Sequence, residues 1–454
     1  MNNLYILTEE RAKNEVLKQI IDLYSNKFSK SVEYEDIDII PQIKNNKHTF
    51  FYDVKGISIE GIDNIYLSLV SGDSSFVDFL VFEQENIPNE NNLDSNNLLM
   101  LIEETKTTDS ESRNTGVYQR SSKFVYAEYH YPNIPKIMLY NMESQRRNRK
   151  PTDTNIFGTN LLLTQDVEII GKDEDLKYFK RFDTVDELIE FKENMARPPS
   201  AENVPITIVR KGNVIEVSGR LSNPKEKYNI GHDPNIGSLT SISNALRVLG
   251  WKGRIIITNH GVKQEVVNNM RSNKFLKIAT ILDIELENIY FDKQPLPKKY
   301  WHYEMAGEKV GTIFLHLLSV RLEDVESIYQ NHAGSERGYF YAHDMPITLP
   351  KKDRHNNKLY IPDLILKNST TKEILLIEGK KSSTVDQGFE ELDNYDSIEE
   401  EFIKKYYPDY EISRWVVTFG DKRHRNVLFH LFTSGDFYIN EKAPDWLKEL
   451  LVNN

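Results

Sequence analysis

The sequence predicts an α/β fold: two mixed-sheet cores flanked by helices, with a middle α/β region between them. Three observations predict it. A chain of 454 residues exceeds what one hydrophobic core ordinarily fills, so two or three domains are expected. Short apolar runs bounded by polar turns alternate with longer helical patterns. One series, strand–strand–helix–strand, occurs near each end of the chain.

The first region, 1–195, opens with MNNLYILTEERAKNEVLKQIIDLY. This reads as an amphipathic helix capped by Thr8, with Ala12, Val16, Ile20 and Leu23 on its apolar face. Apolar stretches follow at Ile57–Val70 and Phe76–Phe82, then the polar insert EQENIPNENNLDSNN, a strand at Leu98–Ile102 and a helix–strand pair ending in KIMLYN. The prolines of ARPPSAENVP mark a linker at 196–205. In the middle region, 196–305, ITIVRKGNVIEVSGR alternates on both sides of Lys211-Gly212-Asn213, which predicts a hairpin. A helix from Ser238 to Leu249 and a strand Ile255–Thr258 come next. The third region, 306–454, holds LYIPDLILKNSTTKEILLIEGKK, where Leu364–Leu366 and Ile374–Ile377 flank a polar turn as a second hairpin. TVDQGFEELDNYDSIEEEFIKKYY then reads as helix, RWVVTFG as strand and PDWLKELL as a terminal helix.

Composition narrows the function classes. Cysteine is absent, which excludes disulfides, thiolate metal sites and cysteine nucleophiles and fits a reducing compartment. No stretch approaches the roughly 20 apolar residues of a membrane span, and the N-terminus lacks a signal pattern, so a cytoplasmic protein is expected. A net charge of −12 does not advertise a nucleic-acid binder, yet local basic clusters decide phosphate affinity. Such clusters stand at SQRRNRK, PLPKKYWH, LPKKDRHNNK and GDKRHRN. No glycine-rich loop ending in Gly-Lys-Ser/Thr is present, so ATP dependence has no support. HRNVLFH lacks the spacing of a histidine nuclease motif and reads as a strand leaving a basic loop. GHDPNIGS reads as turn chemistry before a helix, with a His/Asp metal site, or backbone donors to a phosphate at the N-terminus of the Ser238 helix, as the alternatives.

The chemistry gathers at the ends of the third-region hairpin. Residues two apart on a strand share a face, so Glu378 and Lys380 project together, and antiparallel pairing brings Asp363 beside Glu378. Two adjacent carboxylates repel unless a cation lies between them. Hard oxygen ligands suit Mg²⁺, which keeps waters and takes further ligands from phosphate. A lysine beside them helps position or deprotonate an attacking water and offset transition-state charge.

Pro362-Asp363 followed by Glu378-Gly379-Lys380 after an apolar strand resembles the PD-(D/E)XK nuclease superfamily, typified by type II restriction endonucleases, whose core has the same strand–strand–helix–strand order. The first region echoes it. FVDFLVFE places Asp78 before an apolar strand, and LLMLIEETKT ends a second one with Glu104-Thr105-Lys106. Val77 replaces the proline and the strand connection is longer, so Asp73 or Glu103 stand as alternatives. The resemblance implies an upstream acid for each site: Glu326 or Glu336 for the C-terminal one, Glu60 or Asp63 for the N-terminal one.

What the resemblance implies is a type II-like endonuclease hydrolysing double-stranded DNA with Mg²⁺, or Mn²⁺ in its place. Asp363, Glu378 and Lys380 would form one catalytic site and Asp78, Glu104 and Lys106 the other, each cutting one strand, with the four carboxylates as metal ligands. A cognate DNA methyltransferase would guard the host, and the enzyme would act as monomer or homodimer without a membrane. The middle region and Arg113, Asn114, Gln119 and Arg120 are the candidates for base recognition. The alternatives are a single-site nuclease of phage defence or DNA repair with a degenerate N-terminal module, and a non-catalytic nucleic-acid-binding protein.

Overall fold

The structure, a computed structural model, describes residues 1–9, 12, 14–44, 49–72, 76–91, 97–105, 117–140, 151–171, 173–195, 206–220, 234–260, 264, 274–293, 295–303, 308–329, 339–342 and 345–451. It is mixed α/β, with two compact units: Met1–Ser71 with Tyr303–Asn454, and Gly72–His302. These units divide the chain differently from the three regions drawn on sequence, because 1–71 groups with the C-terminal third and the middle region joins 72–195. Among the described residues no helix is long and apolar enough to cross a membrane.

The first unit opens with β1 (Asn3–Thr8), not with the helix expected from Thr8. The helix α1 (Asn14–Phe28) starts later and buries Val16, Leu17, Ile20, Ile21 and Tyr24. The run LYIL is apolar on both faces, which suits a strand buried on both sides rather than a helix with one wet face. β1 lies parallel to β4 (Asn64–Gly72), and β2 (Val32–Lys44) and β3 (Thr49–Ile59) extend that sheet as an antiparallel meander.

The second unit begins with β5 (Phe79–Gln84) and β6 (Leu98–Thr105), an antiparallel pair. Helix α2 (Val117–His130) leads into β7 (Lys136–Tyr140), parallel to β6. Helix α3 (Asp153–Thr164), capped by the Thr152 side chain, leads into β8 (Val167–Ile170), parallel to β7. Helix α4 (Val185–Asn194) is also capped by a threonine, Thr184. The linker expected at 196–205 lies outside the described residues. The expected hairpin is present as β9 (Thr207–Lys211) and β10 (Val214–Arg220), turning through Gly212 at φ +60°. Helix α5 (Pro234–Val248) connects β10 to the parallel β11 (Arg254–His260). Helix α6 (Lys274–Leu282) leads on to β12 (Ile284–Leu286). Ser241 of α5 donates to the Tyr118 carbonyl of α2 at 3.3 Å, so this smaller sheet is docked on the β5–β8 layer within one unit.

The chain passes through β13 (Trp301–Tyr303) and re-enters the first unit with helix α7 (Val310–Ser319) and β14 (Val325–Tyr329). A separate ribbon pairs β15 (Tyr339–Ala342) with β16 (Met345–Thr348). The main sheet then forms from β17 (Leu364–Asn368), β18 (Glu373–Lys381), β19 (Glu411–Phe419), β20 (Phe429–Leu431) and β21 (Phe437–Ile439), in the order β14–β17–β18–β19–β20–β21. β17 and β18 are antiparallel, whereas β18, β19 and β20 run parallel. Helix α8 (Val385–Glu391) begins a helical run that continues in short pieces to Tyr406.

β18 is buried from Ile374 to Lys380 because both its faces are covered. Ile374 and Leu376 meet Tyr395, Ile398 and Ile403 of the helical run. On the opposite face α7 lies so close that a Cβ on Gly379 would stand 2.8 Å from the Glu308 carbonyl oxygen and 2.9 Å from the Thr312 methyl. Gly379 therefore sets the depth at which α7 packs. Gly379→Ala is expected to destabilise the protein by about 1–3 kcal/mol through overpacking, read as a lowered midpoint in denaturant; an unchanged midpoint would contradict this packing.

Candidate functional site

The β17–β18 register pairs Leu364 with Ile377, so the residues just outside that pair, Asp363 and Glu378, come together at the sheet rim. Asp363 Oδ2 accepts the Gly379 N–H at 2.9 Å. Glu378 and Lys380 are 7% and 5% exposed, deep for charged groups, and partners justify the depth. Lys380 Nζ donates to Glu378 Oε1 at 2.7 Å and contacts Glu391 Oε2 at 2.8 Å and Glu308 Oε2 at 3.7 Å. Tyr395 donates its hydroxyl to Glu378 Oε2. Gly388 of α8 makes room for the lysine stem: a Cβ there would lie 2.8 Å from Lys380 Cγ.

Electrostatics follow from this crowding. Burial, then the Asp363 charge, then a hydrogen bond with Glu391 push the Glu378 carboxyl up to about 8, against the pull of Lys380 and Tyr395. Glu391 is held below the ordinary carboxylate value: burial opposes this, and hydrogen bonds with Glu378 and Lys380 outweigh it. Lys380 is raised, since burial is outweighed by Glu378, Glu391 and Glu308. Tyr395 is raised by burial and by the Glu378 carboxylate.

A carboxyl raised on folding binds its proton more tightly in the folded state. Its stabilisation is complete below the ordinary value of 4.5 and is lost as pH rises through about 8. In chelator, the thermal midpoint is therefore expected to fall across that window. Glu378→Gln, which cannot ionise, should flatten the fall; parallel curves for the two proteins would refute the assignment.

A second constellation stands in the other unit. β5 and β6 pair Phe79 with Ile102, which sets Asp78 opposite Glu103. Asp78 Oδ2 accepts the Glu104 N–H at 2.8 Å, and the Asp78 N–H donates to Glu103 Oε2 at 3.2 Å. The two clusters thus share a register: Asp363 with Glu378 and the following N–H, Asp78 with Glu103 and the following N–H. Glu103, 1% exposed, contacts Lys123 Nζ of α2 at 2.7 Å and Arg120 Nε at 3.6 Å. Lys123 also lies 3.4 Å from Asp78 Oδ1. Burial, then the Asp78 charge, raise the Glu103 carboxyl to about 7 against the pull of Lys123 and Arg120.

The expected residues fall as follows. Asp363, Glu378 and Lys380 are brought together, and so is Asp78, but with Glu103 in place of Glu104. Strand alternation turns Glu104 to the opposite face, leaving only its backbone at the cluster. Lys106, Asp73, Arg113, Asn114 and Glu336 lie outside the described residues, and of Gln119 only its place in α2 is described. Arg120, expected to read bases, is directed instead at Glu103 and at the Glu104 carbonyl, 3.4 Å away. Glu326 forms a cross-strand ion pair with Lys367 at 2.5 Å, four residues along β17 from Asp363. Glu60 accepts from Ser31 Oγ at 3.1 Å and Asp63 from the Asn2 N–H at 2.6 Å, both within the first unit. HRNVLFH is structural: His430 bonds Thr418 Oγ1 at 2.7 Å and the Gly420 carbonyl at 2.9 Å.

Four participants escaped the sequence reading: Glu308, Glu391, Tyr395 and Lys123. Gly388, Glu391 and Tyr395 are spaced i, i+3, i+7, and Arg120 and Lys123 i, i+3, which puts each set on one helix face. The shared Leu-Ile-Glu of MLIEE and LLIEG signals Glu103 as the counterpart of Glu378. Nothing in the spacing signals Glu308, which reaches the site only because α7 packs on β18.

Among the described residues no three His, Asp or Glu side chains are grouped as a ready metal cage. A Mg²⁺ site needs fewer, since the ion commonly takes one or two carboxylates and completes its shell with water and phosphate. Asp363 and Glu378 fit that requirement: burial first, and then the charge of the neighbouring carboxylate, work against two ionised groups there, and a bound cation relieves both. Compared with family models, curated proteins and solved structures, the chain matches none.

Proposed function

We propose that the protein is a Mg²⁺-dependent endonuclease of double-stranded DNA, of the PD-(D/E)XK type and like a type II restriction enzyme. One observation carries the proposal: Asp363, Glu378 and Lys380 converge at the rim of a mixed sheet with the Asp363 carboxylate fixed by the Gly379 N–H. Asp363 and Glu378 would hold the ion, which when bound polarises the phosphate and lowers the pKa of its water. Burial works against the charged form of Lys380, and the neighbouring Glu378, Glu391 and Glu308 outweigh it. As an ammonium it would orient the attacking water and offset phosphate charge. Glu391 and Glu308 flank it and keep its head at the rim. Tyr395 anchors the far oxygen of Glu378.

Cutting a duplex takes two hydrolyses on antiparallel strands, and the second cluster, around Asp78 and Glu103, would serve the other strand. Base recognition would fall to the middle region and to Arg113, Asn114 and Gln119, with a cognate methyltransferase protecting the host. One observation favours a single-site enzyme instead: Thr105 occupies the register position of Lys380. The test is incubation of the purified protein with a large DNA and Mg²⁺, followed by mapping of the ends. Discrete fragments that vanish in chelator are expected. Intact duplex and intact single strands in both Mg²⁺ and Mn²⁺ would end the proposal.

A further inference from the structure

We infer that Lys123 is the ammonium of a second divalent-cation site formed with Asp78 and Glu103, delivered from a helix where the C-terminal site delivers it from a strand. The inference rests on the nuclease reading and deepens it.

The two clusters are complementary in how they fill the same gap. In the C-terminal one the strand supplies the lysine two residues after the glutamate, and the facing helix supplies Gly388, whose missing side chain admits the Lys380 stem. In the N-terminal one the strand supplies Thr105, a short side chain, and the facing helix supplies Lys123. Both helices follow the second strand of an antiparallel pair and precede a parallel strand. In both clusters one ammonium lies 2.7 Å from the buried glutamate. In both the aspartate accepts the N–H of the residue after that glutamate, at 2.9 Å and 2.8 Å. Arg120, 3.6 Å from Glu103, adds a second cation on the helix side.

A purely structural ion pair would also place Lys123 here, and the two possibilities part on metal binding. Manganese bound to the full-length protein is counted by the loss of free-ion paramagnetic signal, in parallel with strand-specific end-labelled duplex cleavage. Asp78→Asn and Glu378→Gln are each expected to lose one equivalent of the Mn²⁺ that the unmodified protein binds. Lys123→Met should keep its Mn²⁺, since lysine is not a ligand, while cutting one strand at least about 10²-fold more slowly. Asp78→Asn with undiminished Mn²⁺ overturns the inference, as does a Lys123→Met protein that cuts both strands at the original rate. Undiminished Mn²⁺ in Glu378→Gln would instead overturn the parent nuclease reading.

Discussion

Lys380→Met protein is expected to convert supercoiled plasmid to nicked circles and stop there, with cleavage of one strand slowed by at least about 10²-fold. The size of the effect follows from the site. Lys380 is the ammonium in contact with Glu378, and it is nearly buried, so water cannot take over its role cheaply. Its removal also leaves Glu378 beside Asp363 without its nearest cation. Breaking a buried pair by deleting one partner ordinarily costs about 3–5 kcal/mol. Here the loss is softened because Glu378, already raised to about 8, can keep a proton. The variant should therefore fold, which circular dichroism and the thermal midpoint check directly. Linear product formed at the original rate would remove Lys380 from catalysis.

Glu103→Gln and Glu104→Gln should separate cleanly, although they are neighbours. Glu103 faces Asp78 and Lys123, whereas Glu104 meets the cluster through its backbone N–H and carbonyl, which glutamine keeps. Glu103→Gln is expected to slow cleavage of the second strand by at least about 10²-fold, with Glu104→Gln close to the parent. The same pair reports the register: a one-residue slip of a strand exchanges its faces. If Glu104→Gln is the damaging change, the β5–β6 pairing seen here is not the working one.

Much of the architecture was legible because local rules and the fold agree. The β17–β18 hairpin, its helix and the strand β19 follow from apolar runs, turn residues and helical spacing, and Asp363 and Glu378 meet because hairpin pairing leaves them no alternative. β1 has no signature of its own, because a short run apolar on both faces looks alike in a helix and a buried strand and only its parallel partner β4 distinguishes them; the helix expected after Thr8 is present but starts at Asn14. As a string, Glu-x-Lys points to Glu104, whereas the face that meets Asp78 carries Glu103. Cross-strand register, which decides which carboxylate faces Asp78, depends on pairing across a long insert.

The chemistry of each strand end, and the alternation that makes Glu378 and Lys380 neighbours, belong to the order of residues alone, since a strand repeats every second side chain wherever it is placed. Which helix closes over that end belongs to packing. Glu308 arrives from a segment distant in sequence, and Glu391, Tyr395 and Lys123 from the helical run that follows each strand, all held by the depth at which helices settle on the sheet. A helix can carry a charge to a site without any signature at the site itself, because contact between layers is decided by the shape of both surfaces and not by the spacing along either one.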